Sequence, residues 1–296
     1  MAALLSQLFV GLSIGSILLL VALGLTFTFG QMGVINMAHG ELIMAGAYTT
    51  YEVQKALGPG SVTTAFLLSL PVAMVVAGLM GLALEAGLIR RLYGRPLDTL
   101  LVTWGVSLML QQLARDLFGA QNVAVASPSW LSGGISPWGI DMPYNRLFII
   151  GLALAVTAGA WVVVSRMKQG RRMRAVMQNR QLAAASGIGT AGVDRRTFFL
   201  GSGLAGIAGV AITQLGSVGP TLGTNYIVDA FLVVVVGGLG SLRGAVLAAL
   251  ALGIINSLSE YWTQASLAKV IVFVCIVAFL QFRPQGIVAQ QSRGLA

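Results

Sequence analysis

Residues 4–29 read LLSQLFVGLSIGSILLLVALGLTFTF, a run without a single charged residue. A helix needs about 20 predominantly apolar residues to cross the hydrocarbon core of a bilayer, so this run predicts a membrane-spanning helix. Residues 1–7 carry no positive charge, and the apolar run is longer than the core of a typical signal peptide. We therefore expect it to be retained as the first span.

The composition of the whole 296-residue chain agrees with this start. Apolar residues make up 56% of it and charged residues 9%, and the mean hydropathy is +0.86. An ordinary soluble domain has about 25% charged residues, and a chain this poor in charge could not cover its own surface with polar groups. The composition identifies an integral membrane protein and excludes soluble enzymes. The single cysteine, Cys275, excludes an intrachain disulfide.

Further apolar segments predict an all-α, polytopic helical bundle with about eight spans, within a range of roughly seven to nine. After the first span, the predicted spans are residues 40–56, 62–89, 97–118, 147–165, 197–215, 245–262 and 270–282. Residues 227–236 are apolar but too short to span alone before a glycine break, which predicts a broken or re-entrant segment. We expect residues 1–296 to form one transmembrane domain.

Basic residues predict the orientation of the bundle. The chain has 18 Lys+Arg against 9 Asp+Glu, a formal net charge of +9. Eight of the basic residues lie in residues 166–196, and Arg283 and Arg293 follow the last predicted span. Cytoplasmic loops of membrane proteins collect Lys and Arg, so we predict an outer N-terminus and an inner C-terminus. This explanation of the charge requires no nucleic-acid partner.

The predicted outer loop, residues 119–145, is rich in Pro and Gly and contains Trp130 and Trp138. Two interpretations stay open for these tryptophans. They are either anchors at the level of the lipid headgroups or contacts for an extracytoplasmic partner.

The inner segment 166–196 is predicted to contain an amphipathic helix. Residues 173–187 read MRAVMQNRQLAAASG, with apolar residues near helical spacing, and Gly187 and Gly189 end the pattern. Such a helix either lies on anionic lipid through its arginines or docks a soluble motor subunit. Residues 187–192 match G-x-G-x-x-G, but no strand precedes them, so a nucleotide site is not expected.

Residues 30–41, GQMGVINMAHGE, are the least membrane-like connection between two predicted spans. Irregular backbone at membrane depth is tolerated only where it is buried in protein or lines a wet cavity. One interpretation is a discontinuous helix that brings Asn36, His39 and Glu41 to a substrate path. The alternative is a short inner loop in which Asn36 or His39 caps the next helix. A lone His predicts no metal site, whereas a proton relay through His39 and Glu41 stays open.

A polar stripe follows the fourth predicted span. Thr99, Thr103, Ser107 and Gln111 recur every four residues, which places them on one helix face. Trp104 lies beside the stripe in the sequence. A small polar solute needs such donors and acceptors to cross a membrane, but Ser and Thr also join packed helices. Both interpretations stay open.

An enzymatic function has little support in the sequence. Residues 11–15, GLSIG, match the hydrolase pattern G-x-S-x-G, but they lie inside a spanning helix, so helix packing is the simpler explanation for Ser13. No phosphate-binding loop of the type G-x-x-x-x-G-K-[ST] occurs in the chain. If ATP drives this protein, another chain must hydrolyse it.

Several motifs together resemble the permeases of branched-chain amino acid ABC importers. They are residues 24–48, with VINMAHGE at 34–41; AASGI at 184–188 with Arg195, Arg196 and Phe198; GGLGS at 237–241; and PQG at 284–286. The resemblance covers essentially the whole chain. It implies that residues 166–196 contact an ATPase subunit. The implied docking residues are Arg171, Arg172, Arg174, Arg180, Ala184, Gly187, Arg195 and Arg196.

Within that family the chain is most similar to the first permease subunit of urea importers. The strings that carry this similarity are ILLLVALGL at 17–25, YGRPLDTLL at 93–101, TWG at 103–105, QQLARD at 111–116 and PSW at 128–130. The polar stripe lies within them, and urea is small, neutral and rich in hydrogen-bonding groups. Branched-chain amino acids and short aliphatic amides stay open as substrates, as does a passive urea or amide channel.

The resemblance also implies the setting of the protein. It implies a bacterial inner-membrane importer with a second, different permease, two cytoplasmic ATPase subunits and an extracytoplasmic substrate-binding protein. This chain would bind no cofactor, because its partners bind ATP. The implied mechanism is ATP-driven alternating access around a substrate path formed by Asn36, His39, Glu41, Thr99, Thr103, Trp104, Ser107 and Gln111.

Overall fold

The computed structural model describes residues 2–288, and within that range it is a bundle of eleven α-helices with one very short β-hairpin. Arg293 and the side chain of Trp138, both used in the predictions above, lie outside the described residues. The helices are α1 Ala2–Met32, α2 His39–Leu57, α3 Val62–Gly87, α4 Pro96–Phe118, α5 Tyr144–Arg166, α6 Lys168–Gln178, α7 Arg180–Ala185, α8 Thr190–Ile212, α9 Leu222–Gly237, α10 Leu242–Trp262 and α11 Ala265–Phe282. Strands β1 Gly134–Ile135 and β2 Met142–Pro143 pair antiparallel.

Every predicted apolar segment is helical, so the all-α prediction is confirmed for the described residues. Five stretches in this part of the chain are long and apolar enough to cross a membrane: Leu4–Gly30, Pro59–Arg91, Tyr144–Arg166, Leu242–Trp262 and Ala265–Phe282. Helix α4 has Asp98 in its first turn and Arg115 in its last, and α8 has three charged residues at 194–196, which shortens the apolar part of each helix. A multi-pass membrane protein is supported, and the number of spans and their orientation stay predictions.

The glycine break predicted near residue 237 lies after a helix and not within one. Helix α9 is continuous over 16 residues, longer than the predicted apolar run. Gly238 and Gly240 then have φ angles of +97° and +78°, which side chains with a Cβ rarely adopt. Ser241 starts α10 by accepting a hydrogen bond from the amide of Gly244 at 3.1 Å.

The inner segment differs from its prediction in two ways. The single helix predicted within residues 173–187 is two helices, α6 and α7, divided at Asn179. Asn179 is extended and accepts a hydrogen bond at Oδ1 from the amide of Leu182 at 2.9 Å, so it caps α7. The sixth predicted span starts seven residues earlier than expected, because α8 begins at Thr190. Arg195 and Arg196 therefore lie on the first turns of a helix and not in a loop.

Helix α1 runs through the centre of the bundle and packs against α10 and α8. Small residues bring these backbones together. A Cβ atom at Gly15 would lie 2.8 Å from the carbonyl oxygen of Ala249 in α10, and one at Gly24 would overlap the carbonyl of Gly201 in α8. The glycines of the G-x-S-x-G match thus pack against α10, which agrees with the helix-packing interpretation of Ser13.

The predicted outer loop is attached to the bundle at defined points. The side-chain amide of Gln54, near the end of α2, donates to the carbonyl of Ala126 at 2.8 Å and accepts from its N–H at 3.0 Å. Val123 pairs with Val218 in an isolated β-bridge. Trp130 packs edge-on against Phe148 and keeps 43% of its surface exposed, so both interpretations of this tryptophan stay open.

Candidate functional site

The connection between α1 and α2 is irregular and partly buried: Gly33 is exposed, whereas Val34, Asn36 and Ala38 are buried. Gly33 has a φ of +62° just after α1 ends, and Asn36 is only 1% exposed. The Asn36 Oδ1 atom accepts a hydrogen bond from the amide of Ala38 at 3.1 Å. This bond satisfies a backbone donor at the start of α2, where the first amides have no partner within the helix. The side chain of Asn36 thus fixes the turn before α2, whose N-cap residue is Ala38.

Glu41, in the first turn of α2, is the centre of a buried polar cluster. Its Oε1 atom accepts hydrogen bonds from Ser107 Oγ at 2.8 Å and from Gln111 Nε2 at 2.9 Å, both on α4. Gln111 Nε2 also lies 3.1 Å from Thr224 Oγ1 on α9. The second carboxylate oxygen, Oε2, is buried without a hydrogen-bond partner among the described residues. We call Glu41, Ser107, Gln111 and Thr224 the carboxylate cluster.

The carboxylate cluster reaches the surface of the chain at α9. Glu41, Ser107 and Gln111 are buried, whereas Thr224 and its neighbours Thr221 and Asn225 are exposed. Gly40 of α2 and Gly223 of α9 are in backbone contact, since a Cβ at either glycine would overlap the other. This close approach brings the start of α9 onto the start of α2. Thr224 is therefore the one member of the carboxylate cluster that is accessible from outside the described chain.

A second layer of contacts joins α4 to the α1–α2 connection. Thr103 Oγ1 accepts a hydrogen bond from the amide of Met37 at 3.1 Å and donates to the carbonyl of Thr99 at 2.8 Å. All four residues of the polar stripe on α4 are buried. The stripe therefore faces α2 and the connection.

Two of the predicted path residues lie apart from the carboxylate cluster. His39 is fully buried, with Nε2 3.3 Å from the carbonyl oxygen of Val21 in α1 and Nδ1 without a hydrogen-bond partner in the described chain. Trp104 is 54% exposed on the other face of α4. Sequence reasoning missed Thr224, although its position in the polar start of a short apolar helix was a usable signal.

An apolar cavity of about 540 Å³ lies beside the carboxylate cluster, between α2, α3 and α4. It begins one helical turn beyond Glu41, where Met44 and Tyr48 line it from α2 and Leu110 and Ala114 line it from α4. The Tyr48 hydroxyl is buried and has no hydrogen-bond partner within the described residues. The cluster therefore combines a polar centre with adjoining apolar space.

The inner segment packs one face against the bundle and exposes the other. Met173, Val176, Ala183 and Val193 form a small apolar cluster that holds α6 and α7 against α8. Gly170 packs so tightly on the carbonyls of Val163 and Val164 that a Cβ atom would overlap them. The residues predicted to dock an ATPase are exposed: Arg171, Arg172, Arg174, Arg180, Ala184, Gly187, Arg195 and Arg196.

The predicted docking arginines differ in their contacts. Arg180 forms a bidentate ion pair with Asp194, with Nη1–Oδ1 and Nη2–Oδ2 distances of 3.2 and 2.5 Å. These hydrogen bonds raise the pKa of the Arg180 guanidinium. Arg196 Nη1 donates to Gln169 Oε1 at 3.1 Å. By contrast, no carboxylate of residues 2–288 lies within 4.0 Å of Arg171, Arg172 or Arg174.

Comparison with known proteins places the chain in a family. The model described as "branched-chain amino acid transport system / permease component" matches residues 7–280. The high-affinity branched-chain amino acid transport system permease proteins BraD of Pseudomonas aeruginosa and LivH of Escherichia coli K12 are 30% and 29% identical, each over 97% of this chain and 96% of the relative. The ribose import permease protein RbsC of Haemophilus influenzae is 25% identical over 85% of this chain and 78% of its own length. No solved structure matches the chain significantly.

Proposed function

The chain belongs to the family of branched-chain amino acid transport system permease components, and from this membership we propose that it is one permease subunit of a bacterial inner-membrane ABC importer for urea. It works with a second, different permease, two cytoplasmic ATPase subunits and an extracytoplasmic binding protein. Its relatives are transport subunits and not enzymes. ATP is bound and hydrolysed by the partners, so this chain needs no cofactor of its own.

The carboxylate cluster carries the proposal for the substrate. A carboxylate at membrane depth is unfavourable and usually marks a solute or ion pathway. The unpartnered Oε2 atom of Glu41 offers an acceptor to the N–H groups of urea, and the hydroxyl of Thr224 offers a donor to its carbonyl. Because Thr224 is exposed and Glu41 Oε2 is buried, a solute that moves along α9 meets Thr224 first and reaches Glu41 only when the helices around it move apart.

Alternating access supplies the mechanism. Loaded binding protein docks on the outer face, and closure of the ATPase subunits pushes on α6 and α7. The helices then rock around the carboxylate cluster and open it to the other side. The solute biases this cycle only through different affinities for the two states.

Branched-chain amino acids are the second candidate substrate. BraD and LivH are named as permeases of high-affinity branched-chain amino acid systems. The apolar cavity beside Glu41 adds a structural argument, since an aliphatic side chain would occupy it while the α-ammonium group met the carboxylate. Short aliphatic amides combine features of both substrates.

Competitive uptake distinguishes these substrates. Cells that lack the importer would be complemented with the complete set of subunits, and uptake of labelled urea would be measured with unlabelled urea, acetamide or leucine in excess. We expect urea to compete and leucine not to compete. Saturable leucine uptake without urea uptake would replace urea by the second candidate. A chain that conducts urea in the absence of the ATPase subunits would be a passive channel.

A further inference from the structure

The basic residues of the inner segment form two sets with different surroundings. Arg171, Arg172 and Arg174 project from the exposed face of α6 and have no carboxylate of the described residues within 4.0 Å. Arg180 is held by the carboxylate of Asp194, whereas Arg195 lies 4.0 Å from Glu85 without a hydrogen bond to it. An arginine whose donors are already engaged has less to offer a partner subunit, so the two sets call for different explanations.

The second set belongs to a series of side-chain contacts that surrounds Tyr93. Arg180 pairs with Asp194, and its guanidinium lies 5.2 Å from the centre of the Tyr93 ring, in cation–π geometry. The Tyr93 hydroxyl donates to Glu85 Oε1 at 2.9 Å. Arg195 Nε lies 4.0 Å from Glu85 Oε2, and Arg195 follows Asp194 directly on α8. We call these five residues the charged ring.

The charged ring joins four parts of the fold that are far apart in the sequence. Glu85 lies near the end of α3, Tyr93 in the connection from α3 to α4, Arg180 at the start of α7, and Asp194 and Arg195 at the start of α8. Glu85 and Asp194 are fully buried, whereas 42% of the Arg180 side chain is exposed. The ring therefore has buried acceptors and two solvent-accessible cations, Arg180 on α7 and Arg195 on α8.

The charged ring is also connected to the carboxylate cluster through α4. The carbonyl oxygen of Leu92, next to Tyr93, accepts a hydrogen bond from Thr99 Oγ1 at 3.2 Å. Thr99 begins the buried face of α4 that carries Ser107 and Gln111, the two donors to Glu41. A displacement of α7 that moves Tyr93 would shift α4 relative to α2.

We propose that the charged ring couples the inner segment to the carboxylate cluster, with Arg180 as a positioning residue and not as a contact for the ATPase. This inference rests on the proposed transport function. Arg180 transmits movement of α7 to α4 through Tyr93, while Arg171, Arg172 and Arg174 bind the ATPase. Without Arg180 the ATPase subunits still bind and hydrolyse ATP, but ATP hydrolysis no longer moves α4.

The test compares Arg180→Gln with the matched variant Arg174→Gln in the complete transporter, reconstituted with its ATPase subunits and binding protein. Co-purified ATPase, ATP hydrolysis and solute uptake are measured for each. For Arg180→Gln we expect normal ATPase content and a fall of about fivefold or more in solute transported per ATP hydrolysed. For Arg174→Gln, which lies at the proposed ATPase interface, we expect less co-purified ATPase but an unchanged amount of solute transported per ATP hydrolysed. ATPase loss in Arg180→Gln, or an unchanged ratio, would overturn the proposal.

Two further variants separate coupling from simple support of the fold. Tyr93→Phe keeps the aromatic ring below Arg180 and removes only the hydroxyl that reaches Glu85, so it is expected to fold and to lower the same ratio. The exchanged pair Arg180→Asp with Asp194→Arg is expected to recover part of the uptake lost in Arg180→Asp. If the Arg180→Gln protein does not accumulate in cells, Tyr93→Phe tests the proposal in its place. A normal amount of solute transported per ATP hydrolysed in Tyr93→Phe would then overturn the proposal.

A measurement on the purified chain distinguishes failure of this inference from failure of the proposed function. If no ATPase co-purifies with the wild-type chain, the proposed function fails. The Tm values of Arg180→Gln, Tyr93→Phe and the double variant still test the charged ring. Non-additive losses indicate that the two residues act as one unit. Additive losses would show that no ring exists to transmit movement.

Discussion

Glu41 of the carboxylate cluster and Asp194 of the charged ring are both buried acidic side chains, but their hydrogen bonds are supplied in opposite ways. In the carboxylate cluster, Glu41 is held by the neutral donors Ser107 and Gln111, and one of its oxygens is left without a partner. In the charged ring, Asp194 is held by both terminal nitrogens of Arg180. Neutral donors leave one carboxylate oxygen available to bind a solute, whereas a charged, bidentate donor joins one part of the chain firmly to another. The first arrangement suits transient binding and the second suits mechanical connection.

The largest expected effect comes from removing the free oxygen of Glu41. In Glu41→Gln an amide nitrogen replaces one carboxylate oxygen, so a solute N–H meets a donor. We expect uptake to fall roughly ten- to a hundredfold, since hydrogen bonds to charged groups contribute about 1.5–3 kcal/mol. Transport assays would be matched with Glu52→Gln, an exposed carboxylate further along α2. Equal uptake by the two variants would remove the carboxylate cluster from the path.

A somewhat smaller effect is expected at the free arginines of α6. Reversal of charge in Arg171→Glu with Arg172→Glu should lower the amount of ATPase that co-purifies by about tenfold, because like charges are then brought together at the proposed interface. The wild-type complex should also weaken with added salt. Arg115→Glu, in the last turn of α4, is the control. Unchanged assembly in the double variant would favour lipid as the partner of this face.

The hydroxyl of Thr224 tests whether α9 takes part in the carboxylate cluster. Thr224→Val keeps the shape of the side chain and removes the atom that lies 3.1 Å from Gln111. Loss of one neutral hydrogen bond of about 1 kcal/mol corresponds to roughly a fivefold fall in uptake. Thr221→Val, at the exposed residue before α9, is the matched control and should transport normally. Equal uptake by Thr224→Val and Thr221→Val would show that the Thr224 hydroxyl has no part in the carboxylate cluster.

The smallest effect concerns pH and the charged ring. Burial raises the pKa of Tyr93 above its ordinary value, so the folded chain keeps the phenol neutral where the unfolded chain loses its proton. Its contribution to stability is therefore full below about pH 10 and is lost as the pH rises further. Between roughly pH 9 and 11, we expect the Tm of the wild type to fall about 2–4 °C more than that of Tyr93→Phe. Parallel curves would show that Tyr93 makes no such contribution.

Local patterns predicted much of the fold and part of the site. The four-residue repeat on α4 and the polar residues after α1 depend only on near neighbours in the chain, and both lie where the pattern indicated. The partners of these residues could not be predicted in the same way. Glu85 and Arg195, or Gln111 and Thr224, are brought together by helix packing, and nothing in the spacing of one helix identifies the residue opposite it. The helix predicted within residues 173–187 is divided because one residue, Asn179, caps α7, and the spacing of the apolar residues does not reveal this cap.

The hydrogen bonds of Gln54 with Ala126 give α2 a role that its burial alone does not indicate. A helix of 19 residues is about 28 Å long and resists bending. One end of this helix is hydrogen-bonded to the predicted outer loop, and the other carries Glu41. A displacement of that loop would therefore be carried to the carboxylate by movement of α2 as a rigid body.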